Sequence, residues 1–229
     1  MPRRAHDFRG LTHVSRLKVL HAVQRRPGSR LAEVADAAGI HVNTARDHLV
    51  VLEDEGLVAS RAVETLRRGR PPLAWFPVRT AEQNPRAAER ADGARERGDL
   101  LRTVAAGEPH GASLGQRAAH QLDVLYEHLD DAGMEPTVDV DELTIGVAPC
   151  RYRQAMAEER PLVCSVHADL VQSMLQLVPG PLEMRGLRPF VTPTSCIVEL
   201  GLSTEDGPAG PAGPVGQDGT DDRDSSPAR

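Results

Sequence analysis

Long apolar runs are missing from this chain. Nowhere do 18 apolar residues follow one another, so no membrane-spanning helix is expected. The opening MPRRAHDFRG carries no apolar signal core, and a cytoplasmic location is expected. Cysteine is scarce, at three residues. An odd number in a reducing compartment argues against a disulfide framework and leaves buried thiols, metal ligation or redox chemistry. Lysine is scarcer still: Lys18 is the only one, and every other base is arginine, which fits a GC-rich coding bias as readily as a function. Also absent are a GxGxxG after a strand, a P-loop, an HExxH and a GxSxG. No catalytic residue is assigned, and the chain is not expected to be an enzyme.

A net charge of −6 looks wrong for a nucleic-acid binder, but the average conceals a split. Residues 1–80 hold 14 Arg and Lys against 8 Asp and Glu, whereas residues 81–229 hold 13 against 25. A basic first third on an acidic remainder implies that only the first third meets a polyanion.

Within that third, the stretch 29–56, SRLAEVADAAGIHVNTARDHLVVLEDEG, reads as two short helices around a turn. Ser29 suits an N-cap. Leu31, Val34 and Ala35 share one helical face. Gly39 permits the left-handed turn that ends the first helix. The second runs from His41 or Val42 to Glu55, with Ala45, Leu49 and Leu52 inward and Asn43, Thr44, Arg46, Asp47 and Val50 on other faces. This is a helix-turn-helix pattern. A preceding helix over 12–25, opened by Thr12, supplies Val14, Leu17, Val19, Leu20 and Val23. LVASRAVE and LAWFPV read as strands on either side of a basic tip, TLRRGRPP, with Arg67, Arg68 and Arg70. Three helices and a β-hairpin describe a winged helix.

The chemistry suits double-stranded DNA. Arg46 can pair bidentately with guanine, and Asn43 with adenine or a phosphate. Thr44 and the helix N-terminus suit phosphates, Asp47 is mildly unfavourable beside them, and the hairpin arginines can neutralise phosphates or enter a minor groove. Winged helices also serve as dimerisation or docking modules. The basic tip and the local charge favour an operator, bound as a homodimer.

GIHVNTARDHLVVLEDEGLV resembles the reading helix of ArsR-type and related bacterial winged-helix repressors. RRGRPPLAWFPV is similar to the wing of a subgroup that carries a C-terminal sensing domain and includes the repressors of the Suf iron–sulfur assembly operon.

Residues 81–112 read as a connector whose helix, Arg95 to Ala106, has a narrow apolar face of Leu100, Leu101 and Val104. A second helix, Ser113 to Asp131, carries the stripe Ala118, Leu122, Leu125 and Leu129. His120 and His128 on it are expected to be surface histidines rather than ligands. LTIGVAPC reads as a strand ending at Cys150, RYRQAMAEE as a short helix or turn, and a helix from Pro161 runs to about Val178. PLEMRGLRPF and SCIVELGL read as strands. The expected fold class is α+β: a winged helix over 1–80, the connector over 81–112, a small α+β sensing domain over 113–202, and a disordered acidic Gly/Pro/Asp tail over 203–229.

All three cysteines lie in the sensing block, spaced C-x13-C-x31-C. That is no CxxC knuckle, and buried free thiols explain it as readily as a metal. Strand-end thiols can converge, however, and Cys164 and His167 share a helix face at i, i+3. Three thiolates and an imidazole would complete a tetrahedral zinc site or hold an iron–sulfur cluster. APCRYRQAMAEERPLVCSVHADLVQSMLQ followed by RPFVTPTSC resembles the C-terminal block of the Suf-operon repressor group. The resemblance implies that Cys150, Cys164 and Cys196 bind an iron–sulfur cluster whose occupancy controls DNA binding, with zinc as the alternative metal. The fourth position falls to His167, to a carboxylate such as Glu199, or to a small exogenous ligand.

Overall fold

The computed structural model describes residues 11, 13–64, 71–104, 114–150 and 153–203, with the backbone alone for 153–158. Thr12, the hairpin tip with Arg67, Arg68 and Arg70, and the tail beyond Ser203 lie outside the described residues.

The first part is a three-helix, three-strand winged helix: α1 (Val14–Arg25), β1 (Ser29–Arg30), α2 (Leu31–Ala38), α3 (Val42–Asp54), β2 (Val58–Ala62) and β3 (Leu73–Pro77). The strands pair antiparallel in the order β1-β3-β2. Leu17, Leu20 and Val23 of α1, Val34 and Ala35 of α2, and Ala45, Leu49 and Leu52 of α3 are buried together. Gly39 ends α2 at φ 65°, its N–H bonding to the Asp36 carbonyl at 3.0 Å while Ile40 N–H reaches Ala35 O at 3.1 Å. Those two bonds make a Schellman cap and aim the chain into α3.

Ser29 does not cap α2. Its backbone is taken by β1, opposite Trp75, and its hydroxyl donates to Arg26 O at 2.7 Å. Strand pairing moves the cap position one residue on, to Arg30, whose backbone N–H donates to Glu33 Oε2 at 2.6 Å.

The connector helix α4 (Pro85–Val104) starts ten residues earlier than Arg95 and buries the opposite kind of face. Ala87, Ala91, Ala94 and Gly98 pack inward, while Leu100, Leu101 and Val104 are 62%, 66% and 74% exposed. Small residues win because the neighbours come so close. A Cβ on Gly98 would stand 2.2 Å from the Asp123 carboxylate, and one on Gly56, itself at φ +73°, 2.9 Å from Ala87 N. The helix α5 (Gln116–Asp131) lies along α4 through ion pairs. Arg102 binds Asp123 with two bonds of 2.8 and 2.7 Å and Asp99 with one of 2.8 Å, and Arg97 grips Glu127. Both partners of the Arg102–Asp123 pair are largely buried, which makes its bidentate geometry count.

The second part adds β4 (Glu135–Asp139), which the sequence pattern does not reveal, then β5 (Thr144–Ala148), α6 (Arg153–Gln176), β6 (Leu182–Thr192) and β7 (Ser195–Leu202). The sheet is antiparallel throughout, in the order β4-β5-β7-β6. Ile145, Val147, Cys196, Val198 and Leu200 turn toward the helices, and Leu122, Leu125 and Leu129 of α5 complete that core. Gln121 joins the layers: its amide Nε2 donates to Leu175 O at 2.8 Å and Leu182 O at 3.2 Å, and its Oε1 accepts from Leu182 N at 2.7 Å. The helix α6 is two helical pieces merged across a kink at Glu159 (φ −132°, ψ 39°), just before Pro161. Proline lacks the N–H that would continue the ladder, so the break falls there.

The helix α6 also packs along α1, on the side carrying Lys18, His21 and Arg25. Lys18 Nζ meets Glu159 Oε1 at 2.7 Å, and half-buried Asp169 faces Arg79, His21 and Arg25. Burial raises the Asp169 carboxyl, and those three bases hold it back.

Asn84 ties α4 to the winged helix. Its Nδ2 donates to Glu53 O at 2.8 Å and Val58 O at 3.1 Å, and its Oδ1 accepts from the N–H groups of Arg86 (2.8 Å) and Ala87 (3.3 Å). It is at once an N-cap and a cross-tie, and Pro85 stands at the first helical position where it costs no bond. Asn84→Ala is expected to cost about 2–3 kcal/mol in urea unfolding, since buried groups lose their partners. An unchanged midpoint would show that packing alone holds the start of α4.

Candidate nucleic-acid interface and thiol cluster

On α3, Asn43, Thr44, Arg46, Asp47 and Val50 are exposed, opposite the buried Ala45, Leu49 and Leu52. Two contacts seat the helix. His48 Nε2 lies 2.8 Å from Ser15 Oγ, and its Nδ1 accepts from Arg16 Nε at 3.4 Å. Burial, and then Arg16, push His48 below its ordinary pKa, which fits a neutral ring with its proton on Nε2. At the other end His41 Nδ1 accepts from Asn43 N at 3.2 Å and caps the first turn. Arg46 Nη1 donates to Asn43 Oδ1 at 2.9 Å. Asn43 is therefore engaged with Arg46, not presented alone to a base. In the hairpin, Arg61 lies over the Phe76 ring at 5.0 Å. Arg67, Arg68 and Arg70 fall outside the described residues.

The three cysteines are thiols that the fold brings into one neighbourhood. Cys150 follows β5, and its N–H donates to Thr194 O at 2.9 Å, at the foot of β7. Cys196 pairs with Val147 across β5 and β7 and is buried. Cys164 approaches from α6. Burial raises the Cys164 thiol, the charges of Cys196 and Cys150 raise it further, and Arg160 pulls it down. Arg160 in turn lies 4.5 Å over the Phe190 ring, a residue at φ 59° in the β6–β7 hairpin. Strand register thus joins two thiols, and helix packing adds the third. Neither Arg160 nor Phe190 carries a sequence signal for this role beyond its place beside Pro161 or Pro189.

The thiols are soft donors that suit iron or zinc. Among the described residues, no three His, Cys, Asp or Glu side chains stand ready-made around a single ion. His167 is buried and faces His128 of α5, whose pKa its charge would lower. Burial pushes His167 down to about 4 and His128 to about 3. His128 is thus a core residue, unlike the surface histidine expected from its place on the helix. The cause is α6, which covers that side of α5. His120 is largely covered too and binds Asp99 at 3.0 Å. Glu199 points away from Cys196 on β7 and pairs with Arg188 at 2.7 Å. Strand alternation puts it on the sheet's other face, which removes it as a partner for the thiols.

Residues 11–61 match the family model of a helix-turn-helix domain. No curated protein and no solved structure matches the chain. The matched span covers α1, α2, α3 and most of β2, the elements that present Arg46. Fold and match together support a class, the DNA-binding transcription regulators, over an enzyme. Among the described residues no helix is long and apolar enough to cross a membrane.

The histidine pair makes a pH prediction. Both groups sit below the ordinary imidazole pKa of about 6.5 in the folded protein, so the unfolded chain binds protons first as pH falls. Their contribution is complete above pH 6.5 and is lost as pH falls through about 4 and then about 3. Melting temperature should drop across that window, and His128→Leu with His167→Leu should flatten the slope. An unchanged slope in the double variant would assign acid sensitivity elsewhere.

Proposed function

We propose that this protein is a transcriptional repressor that binds operator DNA as a homodimer through α3 and the basic hairpin. An iron–sulfur cluster at Cys150, Cys164 and Cys196 sets its grip on the operator. The observation that carries the reading is the position of α6. One helix brings Cys164 to the other two thiols and lies along α1, which in turn seats α3 through Ser15, Arg16 and His48. A change at the thiols therefore has a short mechanical route to the reading helix.

The donor set fits a cluster. Three soft thiols share one region without forming a single ion's coordination sphere, and a multi-iron cluster accepts thiolates standing further apart than zinc does. When bound, such a cluster supplies a redox- and oxygen-sensitive centre. The chain's own part is to release the thiol protons, with Arg160 favouring the Cys164 thiolate. His167, turned toward His128, is the weaker candidate for a fourth ligand. Zinc remains the alternative metal. A small organic effector is the other alternative; among the described residues, the apolar cleft between α5 and the sheet, lined by Leu122, Val138, Leu143, Leu182 and Leu200, offers about 10 Å³, the room of a single water. Small-molecule pockets run to roughly 300–1,000 Å³.

Anaerobically reconstituted protein should take up iron and sulfide and absorb visible light, and Cys164→Ser should lose both. On duplexes selected from a random pool, affinity should fall steeply with salt and differ at least about tenfold between loaded and unloaded protein, a coupling within the usual allosteric range. Uptake with no difference in affinity would remove the regulatory half of the reading. Glu159→Gln should load normally yet shrink the loaded-to-unloaded affinity ratio, because it cuts the Lys18 tie between α6 and α1.

A further inference from the structure

We infer that Val50 reads a thymine methyl group about two base pairs from the guanine read by Arg46, and that Asn43 is a positioning residue for Arg46. This rests on the DNA-binding reading of α3 and specifies the half-site that α3 accepts.

The outward face of α3 runs Asn43, Arg46, Asp47, Val50 and Asp54 at helical spacing, and all five are exposed. Four of them are polar. Val50 is the apolar one, 48% exposed in the middle of the face. A single exposed valine on an arbitrary surface means little. Here it stands four residues past Arg46 on the same face, one turn further along the helix that meets base edges. In the major groove only thymine presents a methyl group, and an apolar side chain is its natural contact.

Asn43 has a different task. A bidentate pair with adenine needs the amide oxygen to accept from the base amino group and the amide nitrogen to donate. That oxygen already accepts from Arg46 Nη1 at 2.9 Å. The backbone N–H of Asn43 is held by His41 Nδ1, which fixes the first turn beneath it. With Nη1 tied back, the guanidinium still offers Nη2 and Nε as an adjacent donor pair, the arrangement guanine O6 and N7 accept. Four residues of helix rise about 6 Å. At about 3.4 Å per base step, the thymine lies on the order of two base pairs from the guanine.

The test uses the whole chain and duplexes it selects from a random pool. The selected half-site should hold a guanine with a thymine one or two base pairs away. Replacing that thymine by uracil removes only the methyl group and should weaken binding by the parent about fourfold, the factor that burial of one such group carries. Val50→Ala should melt like the parent, keep its guanine preference, and bind the thymine and uracil duplexes alike. Asn43→Ala should lower discrimination of guanine over adenine at the Arg46 position, and Asn43→Asp, which keeps an acceptor for Arg46, should restore it. A Val50→Ala protein as sensitive to the missing methyl as the parent overturns the role of Val50. An Asn43→Ala protein that keeps its guanine discrimination, or loses a preference for adenine at another position, overturns the role of Asn43. A chain that enriches no duplex at all overturns the DNA-binding reading itself, and this inference falls with it.

Discussion

Two neighbours share α1, and the rest of the molecule follows from that. Its apolar side closes the core under α2 and α3. Its polar side, with Lys18 and His21 half-buried and Arg25 exposed at the end, faces α6. A helix held on both sides cannot shift toward one neighbour without disturbing the other, because packed interiors do not deform continuously. The seam on the polar side is ionic, and its charged groups are only partly shielded from water. Such pairs contribute little net stability, which suits a joint that has to change.

The other long seam is built differently. Alanines and Gly98 on α4 allow α4 and its neighbours to approach closely, and arginines then reach across to α5 carboxylates. Asp99 illustrates the balance. Hydrogen bonds from Arg102 and then His120 hold its carboxyl below the ordinary range, although it stays in contact with water. Fixed backbone at one end, where Asn84 caps α4, and bidentate pairs at the other make this helix a strut between the two halves. The exposed Leu100, Leu101 and Val104 are the remainder of a face that the fold turned outward.

The thiol group owes its position to both layers of the second half. Cys150 and Cys196 are neighbours because β5 and β7 pair in one register, and a one-residue slip would turn Cys196 to the open face. Cys164 joins them only because α6 packs over that end of the sheet. The raised Cys164 thiol records the outcome: burial first, and then the nearness of Cys196 and Cys150, disfavour its negative charge. A bound cation would reverse that preference, since it stabilises every thiolate it touches.

What could be read from residue order alone was local. Apolar spacing on α1, α2 and α3, with Gly39 as punctuation, was enough for a helix-turn-helix, because those elements bury one stripe each against sequence neighbours. The stripe on α5 and the strands holding Ile145 and Val198 were legible for the same reason. Asn84-Pro85 was also a readable helix start, and passing over it placed the opening of α4 ten residues late. Tertiary structure decided the rest. Hydrophobic periodicity is blind to a seam made of Lys18, Glu159 and Asp169, and it pointed to Leu100 and Leu101 where small residues did the packing. His128 is polar, so only the arrival of α6 could bury it. Whether distant cysteines meet depends on strand register and on helix packing across more than forty residues of chain, and residue spacing encodes neither.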